Sequence, residues 1–253
     1  MKRSSKLLLL GLCTLVAVII AIMLKPLPQS LSYHLFADDR TIAGIPNFFN
    51  VVSNIPFLFV GIIGLYKLRK STASAFINRM YAVMFAGIFL TGLGSAWYHY
   101  APDNNSLVVD RIPMTLVFMA FLAATIAGWI NVKVGAGLLI PLLLLGVASV
   151  LYWHFTELRN AGDLRLYGFT QFYPMIIVPL IFLLFASPQN NKGLQLLLWV
   201  IAWYVAAKLF ETFDKNIYTA TNFISGHTLK HLAAAMATWY IVIFFEKKYI
   251  SAA

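Results

Sequence analysis

The sequence predicts an all-α integral membrane protein with eight transmembrane spans. Three observations carry this. First, 60% of the 253 residues are hydrophobic and only 11% are charged, more apolar surface than a soluble domain of this length needs. Second, several apolar runs reach the ~20 residues that a helix needs to cross a bilayer. Third, the basic residues gather on alternate connecting segments, as in chains oriented by the positive-inside rule. That pattern also gives the net charge of +10 a membrane reading, and no nucleic acid partner is expected. The single cysteine, Cys13, excludes an internal disulfide.

The elements follow in order. Lys2, Arg3 and Lys6 precede an apolar run over Leu7–Leu24. The run is long for a signal peptide and no small-residue cleavage site follows, so an uncleaved first helix is expected. A polar connector with His34, Asp38, Asp39 and Arg40 leads to a second helix over Pro46–Tyr66, whose first half carries Asn47, Asn50, Ser53 and Asn54. Such polar side chains are expected to bridge helices. The third helix is read over Met80–Tyr100, the fourth over Val108–Ile130, the fifth over Gly135–Trp153 and the sixth over Gly168–Ala186. Ser187-Pro188-Gln189-Asn190-Asn191 reads as a turn before a seventh helix over Leu194–Phe213. The eighth is read over Phe223–Phe245, followed by Lys247 and Lys248. With no internal repeat or low-complexity linker, residues 1–253 read as a single multi-pass domain.

Charge sets the orientation. With a cytoplasmic N-terminus and eight spans, the inner segments hold Lys2, Arg3, Lys6, Lys67, Arg69, Lys70, Arg79, Lys133, Lys192, Lys247 and Lys248, while Glu246 is the one acid among them. The other acids fall at outer loops or outer helix ends. Both termini are therefore expected in the cytoplasm, and a cell (plasma) membrane is the expected host.

This topology brings four ionisable groups to one depth. His99 ends the third helix and Asp110 begins the fourth. His227 and His231 lie four residues apart at the start of the eighth, so they share a helix face. All four fall just below the outer surface. Ionisable groups inside membrane helices are costly, which favours a site over scattered structural polar groups. Three histidines with an open fourth position describe a catalytic zinc centre, which makes hydroxide available near neutral pH. Asp110 is placed to take a proton. Ser95, one turn before His99, is placed to donate to an oxyanion formed from a carbonyl. These parts suit hydrolysis of an amide or ester. His34 and His154, each beside aromatic residues near an interface, read as structural.

Gly94-Ser95-x-x-x-His99, Asp110-x-x-Pro113-Met114 and His227-x-x-x-His231 together resemble the alkaline ceramidase family. Its wider superfamily of seven-helix membrane hydrolases also contains the progestin and adiponectin receptors. Asn50-Val51-Val52-Ser53-Asn54 is similar to a segment on the family's first core helix. The resemblance covers residues 46–245 and makes the helix at 7–24 an addition to a seven-helix hydrolase core. It implies a zinc ion held by His99, His227 and His231, with Asp110 and Ser95 catalytic. It also implies a lipid substrate from the bilayer: a ceramide, cleaved at its amide to a sphingoid base and a fatty acid. Eukaryotic members carry an acidic calcium site before the first core helix. Here Asn47 stands where a glutamate is expected and only Asp38 and Asp39 are near, which speaks against calcium.

Two alternatives stay open in the sequence. The same chemistry would cleave another acyl lipid, such as a phospholipid ester or an N-acyl lipid. A non-catalytic receptor-like sensor is the alternative from another class. A transporter is disfavoured, because the inner halves of the helices hold few polar residues. The oligomeric state is not encoded in any feature read above. The topology has a direct check: reporter fusions after Lys70 and after Pro102 should label opposite faces of the membrane, and labelling on one face would refute the eight-span reading.

Overall fold

A computed structural model describes residues 1–186 and 191–250; most of the turn read at 187–191 lies outside the described residues. In chain order the helices are α1 (Arg3–Met23), α2 (Phe48–Val52), α3 (Ile55–Leu68), α4 (Ala75–Tyr100), α5 (Asn104–Trp129), α6 (Val132–Leu158), α7 (Arg165–Phe185), α8 (Asn191–Thr212), α9 (Asp214–Thr221) and α10 (Gly226–Tyr249). Among the described residues, eight segments are long and apolar enough to cross a membrane, with α2 and α3 together forming the second. The chain is an all-α, multi-pass membrane protein.

Among the departures from the sequence reading, three concern the elements that lead to the site. The second span breaks at Ser53 and Asn54. Pro56 lacks an N–H and its ring crowds the carbonyl four residues back, so the helix restarts at Ile55. α5 begins at Asn104, ahead of the expected Val108. Its start is capped: Asp103 Oδ1 accepts the Ser106 N–H at 2.6 Å, and the Ser106 hydroxyl donates to the Ala101 carbonyl at 2.6 Å. These bonds, the Ser106 N–H foremost, hold the Asp103 carboxyl below the usual carboxylate range. The segment read as a polar loop before the last span contains α9, whose first residue is Asp214.

The chain forms two compact units. One comprises Met1–Gln29, Ser74–Met84 and Thr115–Asn191. Within it, α1 packs on α7, and the Thr14 hydroxyl meets the Tyr173 hydroxyl at 2.7 Å. Arg165 opens α7 and donates to the carbonyls of Ile22 at 3.2 Å and Leu24 at 2.8 Å. These carbonyls lie at the end of α1, where a helix has no internal donors left. Asp163 holds the same guanidinium at 2.8 Å, and the Arg165 hydrogen bonds draw its carboxyl down to about 2. At Gly135, α6 comes so close to α5 that a Cβ would collide with the backbone of Ala127 and Ala123.

The other unit comprises Ser30–Ala73, Phe85–Met114 and Lys192–Ala253. α10 is packed along α3 and α2. At one end of α10, Lys67 on α3 pairs with Glu246, and the rings of Phe85 and Phe245 meet edge to face at 5.5 Å. α4 and α5 touch backbone to backbone where Gly94 faces Val109. A Cβ on Gly94 would collide with the Val109 carbonyl oxygen. Pro113, inside α5, has no N–H to offer that carbonyl, so the carbonyl is left facing the neighbouring helix. This contact fixes the distance between the turns that carry Ser95 and Asp110. Gly94→Ala should therefore cost roughly 1–3 kcal/mol, the usual penalty for overpacking. Thermal unfolding of the detergent-solubilised protein would measure it, and an unchanged Tm would contradict the contact.

Candidate metal centre

The site lies within the second unit and begins with α10. Ser225 caps this helix, its hydroxyl oxygen accepting the Thr228 N–H at 3.1 Å. Gly226 presses on the Phe210 carbonyl, where a Cβ would not fit. Asp214, at the start of α9, accepts the His227 N–H at 2.7 Å and the Ala37 N–H at 3.2 Å. Cap, glycine and carboxylate thus fix the first turn of α10, so His227 and His231 face inward one turn apart.

His99, in the last turn of α4, meets them. Its Nε2 lies 3.1 Å from Nε2 of His231 and 3.3 Å from Nε2 of His227. The three side chains are 0%, 3% and 5% exposed for His99, His231 and His227, so the convergence is dry. A tetrahedral ion with nitrogen ligands at about 2.0–2.1 Å holds those atoms roughly 3.3–3.4 Å apart. The observed spacings fit that figure. Among the described residues these three form a group whose ligand atoms are close enough to hold one metal ion.

The tautomer of His231 follows from its neighbours. The Ser53 hydroxyl donates to the Asn50 carbonyl at 3.1 Å, and Ser53 Oγ lies 2.7 Å from His231 Nδ1. A hydroxyl has one proton to give, so it must accept from His231 Nδ1–H. The lone pair of Nε2 is then turned toward the other two imidazoles, as metal ligation requires. The break between α2 and α3 is what delivers Ser53 here. The Asn50 side-chain oxygen accepts the Thr228 hydroxyl at 2.9 Å, and the Asn47 amide donates to the His99 carbonyl at 2.8 Å. The polar face read as a helix bridge thus holds two of the three histidines.

Ser95 and Asp110 are both buried, with the Ser95 hydroxyl on the side of the Asp110 carboxylate. Asp110 Oδ1 has no partner among the described residues. Asp110 is not one of the residues in the metal-binding group. His34 bridges the Tyr98 hydroxyl at 3.0 Å and Asn104 Oδ1 at 3.1 Å, a structural arrangement.

The connector after residue 30 covers the histidines. The Phe36 ring lies 4.6 Å from that of His99 and 5.0 Å from that of His227. Asp38 anchors the connector. Its two carboxylate oxygens each accept from the Arg40 guanidinium at 2.7 Å, and Arg40 also donates to the Phe223 carbonyl at 2.5 Å. The Asp38 carboxylate is thus paired with Arg40, and the Asn47 amide is bonded to the His99 carbonyl. The sequence analysis passed over four residues of this neighbourhood: Phe36, Glu211, Asp214 and Lys230. Lys230 and Glu211, an ionised pair inside apolar spans, were the visible signal.

Residues 40–252 match the family described as Ceramidase. The chain belongs to the Ceramidase family. A comparison with curated proteins gives no match. The family match begins after α1, so the Ceramidase-related region holds the remaining seven spans. It contains the three histidines, Ser95 and Asp110.

Ser53 gives the site its sharpest test. Ser53→Ala removes the acceptor that orients His231, and loss of such an outer partner typically weakens metal binding about 10–100-fold. Competition with a chromophoric chelator would measure it. Unchanged affinity would show that His231 is oriented by other means.

Proposed function

We propose that the chain is a membrane-embedded amide hydrolase that cleaves ceramide-like lipids to a sphingoid base and a fatty acid, with zinc held by His99, His227 and His231. The observation that carries this reading is the convergence of three buried imidazoles, with His99 Nε2 at 3.1 and 3.3 Å from those of His231 and His227, near the spacing of ligands on a tetrahedral ion. Membership of the Ceramidase family supports the reaction class. Zinc in such a site supplies a Lewis acid and lowers the pKa of water to about 7.

The protein residues then divide the work. Asp110 Oδ1 accepts a proton from the attacking water and returns it to the departing amine nitrogen. Ser95 holds that carboxylate in place through its hydroxyl. Phe36 keeps bulk water off the imidazoles. The substrate reaches the site from the bilayer. His99 lies at the end of α4, Asp110 near the start of α5 and His227 at the start of α10, so the reacting amide is expected at headgroup depth. The same reading puts both termini in the cytoplasm and the site toward the outer face, and the split of basic and acidic residues supports it.

The test combines metal analysis with turnover. Purified protein should carry about one zinc per chain and hydrolyse ceramides in a panel that also holds phospholipids and N-acyl lipids. Each His→Ala variant should lose the metal. Asp110→Asn keeps the shape of the side chain and loses the base, so zinc should stay while turnover falls roughly 10²–10⁴-fold. Full activity of Asp110→Asn, normalised to folded, zinc-loaded protein, would remove Asp110 from the mechanism. A zinc-loaded wild type inert toward every lipid would overturn the enzyme reading.

A further inference from the structure

Lys230 sits between the two histidines of α10 and points into the site. Its Nζ lies 2.9 Å from His227 Nε2 and 3.3 Å from Glu211 Oε1. Glu211, near the end of α8, also accepts from Lys208 Nζ at 2.7 Å. The Lys230 side chain is 18% exposed, so its ammonium is largely removed from water, where a charge acts strongly.

Two constraints define what this ammonium can do. His227 Nε2 has one lone pair, so it cannot both ligate a metal and accept from Lys230. Once the imidazole is a ligand, Lys230 has to release it, and Glu211 keeps the ammonium nearby. A ceramide-like substrate, for its part, brings no anionic group of its own. The negative charges of the reaction are the acyl oxygen of the tetrahedral intermediate and the carboxylate of the fatty-acid product. Lys230 Nζ, beside His227, is a cation placed at the histidine cluster to meet such a charge.

We propose that Lys230 is a further catalytic residue of this site, whose ammonium group holds the acyl oxygen as it becomes negative and then one oxygen of the fatty-acid product. This rests on the amide-hydrolase reading above. Hydrolysis forms one C–O bond and breaks the C–N bond. One water proton passes through Asp110 to the amine nitrogen, and the other leaves the new carboxylic acid for the freed amine, giving carboxylate and ammonium. The acyl oxygen takes up the electron pair of the C=O bond and returns it as the C–N bond breaks. Lys230 gives up neither proton nor electrons; it contributes charge and a hydrogen bond.

The experiment uses the full chain in detergent micelles, loaded with zinc, as wild type, Lys230→Met and Lys230→Arg. Zinc content is measured by elemental analysis, and binding of palmitate and of hexadecanol by calorimetry. The alcohol has the same tail without the carboxylate. In Lys230→Met, zinc should stay at the wild-type level and hexadecanol should bind as before. Palmitate affinity should fall at least ~10-fold, the scale of one charge-assisted hydrogen bond. Ceramide kcat should fall about 10²–10³-fold, as for a lost oxyanion donor, with KM little changed. Lys230→Arg keeps the charge and should retain much of the palmitate affinity. Equal palmitate affinity in wild type and Lys230→Met would overturn the proposal. So would loss of zinc from Lys230→Met, or an equal loss of hexadecanol binding, since either makes Lys230 a structural prop. A wild type that cleaves no lipid amide would sink the hydrolase reading, while the palmitate comparison would still judge carboxylate binding by Lys230.

Discussion

Everything around the site answers to one constraint: three imidazoles are pressed together, nitrogen to nitrogen, in a buried setting. Buried polar groups without partners are costly, and lone pairs facing one another add repulsion. Such a cluster persists only where its other polar atoms are held. Ser53 Oγ lies against Nδ1 of His231, Asp214 accepts the backbone N–H of His227, and the Asn47 amide donates to the carbonyl of His99. Each bond crosses from another element, so the geometry of the imidazoles is set by the packing of the whole unit.

Backbone contacts set the spacing. Gly94 and Gly226 each stand one residue before a site residue, and each lies against a carbonyl of a neighbouring element. A larger residue at either place would push Ser95 or His227 outward. Two prolines contribute by subtraction. Pro56 breaks the second span so that Ser53 and Asn54 turn their side chains toward His231. Pro113 leaves the Val109 carbonyl without its helical donor, and α4 closes on it.

The connector before the second span works as a pinned cover. Arg40 binds Asp38, touches the Phe223 carbonyl and lies over the rings of Phe49 and Tyr218 at 4.9 and 5.6 Å. A guanidinium offers several directed donors and a flat face, which suits it to tying a loop to two helices at once. This brings Phe36 onto the histidines and ties the cover to α9 through Asp214.

The sequence by itself determined the class of the protein, its spans and the histidine face. Lipid offers no hydrogen bonds, so a crossing segment must be an apolar helix, and such runs are visible without any tertiary knowledge. The spacing of His227 and His231, and of Ser95 and His99, is likewise local: residues four apart share a helix face whatever surrounds them. The depth shared by His99, Asp110 and His227 followed from counting spans. The tertiary structure alone decided which partner each side chain chose. That Ser53 meets His231, that Phe36 covers the site and that Lys230 reaches His227 beside Glu211 depend on how each helix is rotated about its axis. That rotation is set by contacts between residues far apart in the chain, at glycines and breaks whose meaning appears only once a neighbouring helix is in place.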